Sequence, residues 1–265
     1  MEATRQEEFA SAHWRDRVRL PAVDGQVPQH EESCEVVVDN GWRPLRFHDY
    51  QTIYGHPGLY EHLFYGMPQC DSPRRVVDLL EDVRRDLSGP PTAVQAIDLG
   101  AGNGIVGQQL RSAGAKHVVG IDIIPEAAAA ASRDRPSVYD DYIVDNLCEP
   151  TADTMTRLGK LTPNVLACVA ALGFGDIPPL AYFNAMTFLP RGGLVALNIK
   201  EEFLDERYAF GFSELVRRMV RGQVIRVEAT RRYVHRLSTA GKPLHYLALV
   251  ATKLDEVPRS MLIDP

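Results

Sequence analysis

Three clusters of acids and glycines in this 265-residue chain have spacings that could do chemistry. The first is Asp98-Leu99-Gly100-Ala101-Gly102-Asn103-Gly104, where alternate glycines follow the apolar run Val94–Leu99 and precede Ile105, Val106 and Leu110 of a predicted helix. Glycine at a strand-to-helix turn adopts positive φ and lets a ligand approach the backbone. The dehydrogenase pattern G-x-G-x-x-G would need glycine at position 105, where Ile105 stands. Asp98 can accept hydrogen bonds from an ammonium or from nearby backbone, but it would be an odd neighbour for a pyrophosphate. Second, Asp122 closes the run Val118–Asp122, 18 residues beyond Gly104. An acid about 20 residues past a glycine turn chelates a ribose diol in nucleotide-binding βαβ units. Third, Asp145 and Asn146 end Tyr142-Ile143-Val144 and suit an adenine edge, with Ile123 and Leu147 available to the faces of the base.

A different chemistry is concentrated between residues 47 and 65, which hold six of the 21 aromatics and three of the eight histidines. Tyr50 and Tyr54 are four residues apart, as are Tyr60 and Phe64, so each pair shares a helix face. The stretch reads as a lid with an aromatic wall; a core-packing helix pair is the alternative. His48 and His56 titrate near neutrality and are the candidate bases, with Tyr54 a third candidate catalytic residue. The segment Cys168–Asp176 carries no Asn/Asp-Pro-Pro-aromatic motif. Lys200 and Glu201 follow the strand Leu194–Ile199 on a rim where open α/β sheets bind ligands, although a solvated loop explains them as well. Arg217, Arg218, Arg221, Arg226, Arg231, Arg232 and Arg236 form a local basic cluster, read as a solvated face in preference to an RNA site.

These residues need a scaffold, and the chain alternates accordingly. A helix starts at Asp71-Ser72-Pro73, with an expected side-chain cap and proline in the first turn, and runs with Val76, Val77, Leu79, Leu80, Val83 and Leu87 inward to Ser88-Gly89-Pro90-Pro91. Strands are predicted at Val94–Leu99, Val118–Asp122, Asp141–Leu147, Val165–Ala171 and Leu194–Ile199, with helices between them. That rhythm implies a parallel sheet covered on both faces. Val224–Arg232 alternates as an edge strand, and His245–Thr252 is apolar almost throughout, as a central strand. The linker Leu237–Leu244, with Gly241 and Pro243, makes them a hairpin whose second strand inserts into the sheet. The fold is therefore read as a doubly wound, seven-stranded, mostly parallel α/β sheet with the last strand inserted antiparallel. Three segments are expected: an arm over 1–33 (a marginal helix or mobile, with Phe9, Ala10, Trp14 and Val18 at rough helical spacing), an aromatic lid over 34–72, and a core over 73–265.

Composition narrows the function classes. At 45% hydrophobic and 24% charged, the chain is an ordinary globular protein, and its net charge of −6 disfavours general nucleic-acid binding. Four cysteines without a CxxC pair give no readable zinc or redox motif, so no metal is expected. No signal segment or long apolar run is present, which points to a cytoplasmic protein without a membrane partner.

Asp98 through Gly104, Asp122 and Asp145-Asn146, together with the inserted last strand, resemble the class I S-adenosylmethionine-dependent methyltransferases over about residues 70–252. Val118–Leu147 is especially similar to their small-molecule members. The resemblance implies S-adenosyl-L-methionine as cofactor, with Asp98, Gly100, Ala101, Gly102, Asn103 and Gly104 at the methionine end, Asp122 and Ile123 at the ribose, and Asp145, Asn146 and Leu147 at the adenine. It implies methylation of an oxygen or nitrogen, with carbon as a further option, on a small organic metabolite. An RNA or protein methyltransferase, or a cofactor-binding protein without transfer, is the alternative. Oligomeric state is left open, a homodimer included.

Overall fold

The structure is a computed structural model that describes residues 13–21, 27–39, 41–87, 92–171, 176–204 and 211–262. The expected helix residues Phe9 and Ala10, the Ser88–Pro91 stop and the glycines Gly173 and Gly175 lie outside the described residues.

The main sheet holds seven strands: β4 (Gln95–Leu99), β5 (His117–Asp122), β6 (Asp141–Val144), β7 (Val165–Cys168), β8 (Leu194–Lys200), β9 (Ile225–Leu237) and β10 (Pro243–Lys253). Their spatial order is β6-β5-β4-β7-β8-β10-β9. Only β10 runs against its neighbours, pairing antiparallel with both β8 and β9. This is the expected topology, and the hairpin is longer than its pattern suggested. The order reverses beside β4, so the crevice beyond the carboxyl ends of β4 and β7 is where an open α/β sheet takes a ligand.

Each face of the sheet is covered by helices. On one, α3 (Ser72–Asp86) lays Val76, Val77, Leu80 and Val83 against Ala248 and Val250 of β10, with α4 (Ile105–Ser112) beside it. Its Asp71 occupies the cap position, but the side chain bonds Arg74 and Arg75 instead of capping the backbone. On the other face, α7 (Pro179–Met186) and α8 (Gly211–Arg221) bury Tyr182, Met186, Leu215 and Met219 against Leu197 and Leu249. The helix α5 (Pro125–Asp134) follows β5, and α6 (Ala152–Gly159) follows β6.

The N-terminal third departs from the expected arm and lid. A second, three-stranded antiparallel sheet joins β1 (Val18–Arg19), β2 (Ser33–Val38) and β3 (Gly41–Arg46) across the boundary placed at residue 33. Cys34 and Val36 alternate inward, an alternation that, with the Asn-Gly pair in the sequence between the two strands, the helical reading passed over. Trp14 is buried, and its indole N–H donates to the Pro57 carbonyl at 2.8 Å, fastening this sheet to the aromatic stretch. That stretch forms α1 (Tyr50–Gly55) and α2 (Leu59–Glu61), the latter continuing into a π-helical turn over His62–Gly66.

Candidate functional site

A cavity of about 200 Å³ opens at the carboxyl ends of β4, β5, β6 and β7, under α1 and α2. Its floor is the glycine loop. Gly100 and Gly102 take φ of +74° and +52°, a region costly for residues with a Cβ. Space is equally restrictive: a Cβ on Gly100 would meet the Ala171 side chain at 2.7 Å, and one on Gly102 would meet the Tyr54 hydroxyl at 2.5 Å. The lid therefore rests directly on the loop.

Asp122 ties the β5 tip to the loop. One carboxylate oxygen accepts from Gly102 N–H at 2.9 Å and the other from Ile124 N–H at 3.0 Å. Burial pushes its pKa up, and those backbone donors act in the opposite direction. The Ile123 N–H acts on it as well, so of a carboxylate's about four acceptor positions at least one remains for a ligand in the cavity it lines. Ile123 beside it is 58% exposed, an apolar platform at the rim.

Asp145, Asn146 and Leu147 also line the cavity. Asp145 has prior engagements: it accepts from Asn146 N–H at 2.8 Å and from both Thr151 N–H and the Thr151 hydroxyl at 2.9 Å. Burial opposes its ionisation, but these bonds and one from Thr154 hold its carboxyl below the usual range.

Asp98 lies elsewhere than expected. It is 0% exposed, sits behind the loop and does not line the cavity. Tyr139 donates to its Oδ2 at 2.7 Å, while Oδ1 has no partner. Burial raises its pKa to about 7, against the opposing bond from Tyr139. Gly104 likewise stands back from the cavity, capping α4 with φ +91°.

The loop is braced by residues that the sequence reading did not assign. The Tyr142 hydroxyl donates to the Gly102 carbonyl at 2.7 Å. Asn103 Nδ2 donates to Glu61 Oε1 at 2.6 Å, and Arg135 reaches the same oxygen at 3.0 Å and the Asn103 carbonyl at 3.1 Å. Glu61 belongs to α2, so the lid holds the loop through Asn103 and forms a buried ion pair with Arg135 at the end of α5. Its only sequence signal was an acid in the aromatic stretch.

The three catalytic candidates separate. Tyr54 lines the cavity, and burial raises its pKa well above the ordinary phenol value. It is therefore a hydrogen-bond donor and not a base. The Nδ1 of His48 stands 3.5 Å from Asp176 Oδ1, at the inner edge of the site. His56 does not line the cavity; its ring packs edge-on to Trp14 with centroids 5.7 Å apart.

The basic cluster resolves into pairs. Arg226 meets Glu228 at 2.8 Å, Arg231 meets Asp82 at 2.8 Å, Arg232 meets Glu201 at 2.7 Å and Arg218 meets Glu214 at 3.0 Å. Glu201 is thus engaged on the surface. No helix among the described residues is long and apolar enough to cross a membrane.

No family model and no curated protein matches the chain. Among solved structures, it is similar to a TehB-like SAM-dependent methyltransferase from Corynebacterium glutamicum, at 17% identity and TM-score 0.45, covering 68% of this chain and 86% of that one. It is also similar to magnesium protoporphyrin IX methyltransferase from Synechocystis with bound SAM, at 13% identity and TM-score 0.46, covering 68% and 79%. A third is N-methyltransferase NodS from Bradyrhizobium japonicum with S-adenosyl-L-homocysteine, at 13% identity and TM-score 0.47, covering 68% and 86%.

Proposed function

We propose that this protein binds S-adenosyl-L-methionine in the cavity and transfers its methyl group to a small organic molecule. The observation that carries the reading is the Asp122 corner. One carboxylate bonds the glycine loop, lines the cavity, and adjoins an exposed apolar residue at the β5 tip. That combination fits a ribose diol with a purine beside it. The cofactor's residues would be Gly100, Ala101, Gly102 and Asn103 at the amino-acid end, Asp122 and Ile123 at the ribose, and Asp145, Asn146 and Leu147 at the base, with Asp98 and Gly104 positioning the loop from behind. When bound, it supplies an electrophilic methyl group on a sulfonium.

The chain's own contribution is alignment and exclusion of water, which account for much of the acceleration of a displacement. Tyr54, Tyr60 and Tyr50 roof the cavity, and we assign His48, which lines the adjoining smaller chamber and is oriented by Asp176, as the base for an acceptor proton. The 34–72 lid is proposed as the part that selects the acceptor. A small acceptor is favoured over RNA or protein because the arginines that would have formed a polyanion surface are paired with acids.

The test has two steps. S-adenosyl-L-homocysteine should raise the thermal midpoint where NAD does not, since only a ligand of the folded state does so. Labelled methyl from the cofactor should then enter a small-molecule extract and not RNA or protein. With the labelled acceptor, His48→Ala should lower turnover by about 10²–10⁴-fold, as for loss of a general base, while His56→Ala leaves it unchanged. Equal midpoint shifts by both nucleotides would end the reading.

A further inference from the structure

Behind the roof lies a second, smaller chamber of about 40 Å³, and Tyr50, Tyr60, Ala170 and Asp176 border both spaces. It holds about three water-sized groups, at roughly 10–15 Å³ each. Its side walls are Phe47, Phe64 and His48, whose Nδ1 is 3.5 Å from Asp176 Oδ1 at the mouth, and its far end is polar.

That polar end is built from distant parts of the chain. His235 on β9 is 7% exposed, and its Nδ1 is 2.6 Å from Ser72 Oγ. Ser72 Oγ is 2.6 Å from the Tyr233 hydroxyl, and Asn198 Nδ2 donates to both, at 3.2 and 2.8 Å. Asn198 Oδ1 accepts from Ala170 N–H at 2.7 Å, on the chamber's border. The His235 ring lies against Tyr246, centroids 4.1 Å apart, and the Tyr246 hydroxyl is bonded by Gln29 at 3.0 Å. Every member of this network is engaged except His235 Nε2, which has no hydrogen-bond partner among the described residues in a ring that lines the chamber. Nε2 opens onto the chamber, where it is available to whatever fills that space.

Charge decides what that partner can be. Arg236 lines the far end, 3% exposed, with its guanidinium held by Glu32, which is 0% exposed. Burial and the Arg236 charge lower the His235 pKa to about 3, so the imidazole is neutral. A cation at the far end would face Arg236, and an anion would have to pass the Asp176 carboxylate at the mouth. Resting on the methyl-transfer reading above, we propose that this chamber anchors the acceptor by a short, uncharged hydroxyl-bearing branch that hydrogen-bonds His235 Nε2. The rest of the acceptor stays in the larger cavity. The enzyme would then select alcohols over carboxylates and amines of the same shape.

Three two-carbon probes test this on the wild-type protein: ethanol, acetate and ethylammonium, titrated with and without S-adenosyl-L-homocysteine. The readout is the imidazole ¹⁵N resonances of His235 in histidine-labelled protein. Ethanol should shift them saturably, and the other two should bind at least tenfold more weakly. Asp176→Asn should narrow the gap for acetate. A gap narrower than tenfold for either charged probe, or no saturable shift with ethanol, overturns the proposal. In His235→Phe, which keeps the ring stack on Tyr246, ethanol should no longer shift the ¹⁵N resonances of His48, which lines the same chamber, and a retained saturable shift overturns the assignment; should that variant not fold, the wild-type titration still decides. If ethanol binds but S-adenosyl-L-homocysteine does not, the methyl-transfer reading fails and the acceptor assignment with it, while the chamber's preference for a neutral head stands.

Discussion

The two sides of the crevice are made in different ways. On the β4–β6 side, the surface presented to a ligand comes from one stretch, Leu99 to Leu147, and much of it is backbone: a glycine loop, a carboxylate bonded to that loop, and a strand tip. On the other side, nearly every contact joins remote residues. Glu32 pairs with Arg236 across 204 positions, Gln29 with Tyr246 across 217 and Ser72 with His235 across 163. The first side is local and rigid, suited to a constant ligand. The second is assembled only when lid, β9 and α3 dock, which suits a part that sets specificity.

Each side also buries a group whose pKa is strongly shifted, Asp98 on one and His235 on the other, and the two titrate in opposite senses. Asp98 has a folded pKa raised from 3.8 to about 7, so between those values the folded state holds the extra proton and stability falls as pH rises. His235 has a folded pKa lowered from 6.5 to about 3, so the unfolded state holds the extra proton and stability rises with pH over that window. The slopes oppose each other between about pH 4 and 6.5. Asp98→Asn should remove one of them and leave stability climbing by about 3 kcal/mol more than wild type over that range, from about 1.4 kcal/mol per pKa unit. Urea denaturation at several pH values reads this, and parallel curves for variant and wild type would place the Asp98 proton elsewhere.

The next largest effect belongs to Asp122→Ala. It deletes the acceptors offered to a sugar and strands Gly102 N–H. Hydrogen bonds to charged groups contribute about 1.5–3 kcal/mol, so S-adenosyl-L-homocysteine should bind about 100-fold more weakly by calorimetry. A loss below tenfold would remove this corner from nucleoside binding.

This contrast also explains what could be read in advance. Strand order, the inserted β10 and the tip residues Asp122, Asp145 and Leu147 follow from period and punctuation over short distances, and such patterns survive without knowledge of packing. The β2–β3 hairpin was legible too, in Cys34/Val36 and Asn40-Gly41, but helical spacing around Trp14 competed with it. Asp98 shows a different limit: the sequence places an acid before the loop, and only packing against Tyr139 decides that it faces inward. His48 and His56 are indistinguishable by type, and one meets Asp176 while the other meets Trp14. Nothing in the order of residues announces that Ser72, Asn198, Tyr233 and His235 converge.

Where the two sides touch, Gly102 and Tyr54 give a sharper test. Gly102→Ala adds a Cβ at positive φ that would meet the tyrosine hydroxyl, so S-adenosyl-L-homocysteine affinity should fall about tenfold, equivalent to about 1.4 kcal/mol. In the Tyr54→Phe background the nearest atom becomes the ring carbon at 3.3 Å, and part of that loss should return. Residues in contact couple and distant ones add. An additive double-mutant cycle would mean that lid and loop do not press on one another.

The smallest effect is expected outside both sides. Arg226, Arg231 and Arg232 lie on β9 with exposed side chains, each paired to one acid. Exposed pairs contribute about 0–1 kcal/mol because side-chain entropy and salt screening consume most of the Coulomb gain. Replacing all three by alanine should therefore leave S-adenosyl-L-homocysteine affinity within about twofold and lower the thermal midpoint by a few degrees at most. If the same replacement abolished methyl transfer to an RNA or protein acceptor while sparing the cofactor, the arginines would be a recognition surface. The division of labour would then shift from the inner chamber to the outer edge of β9.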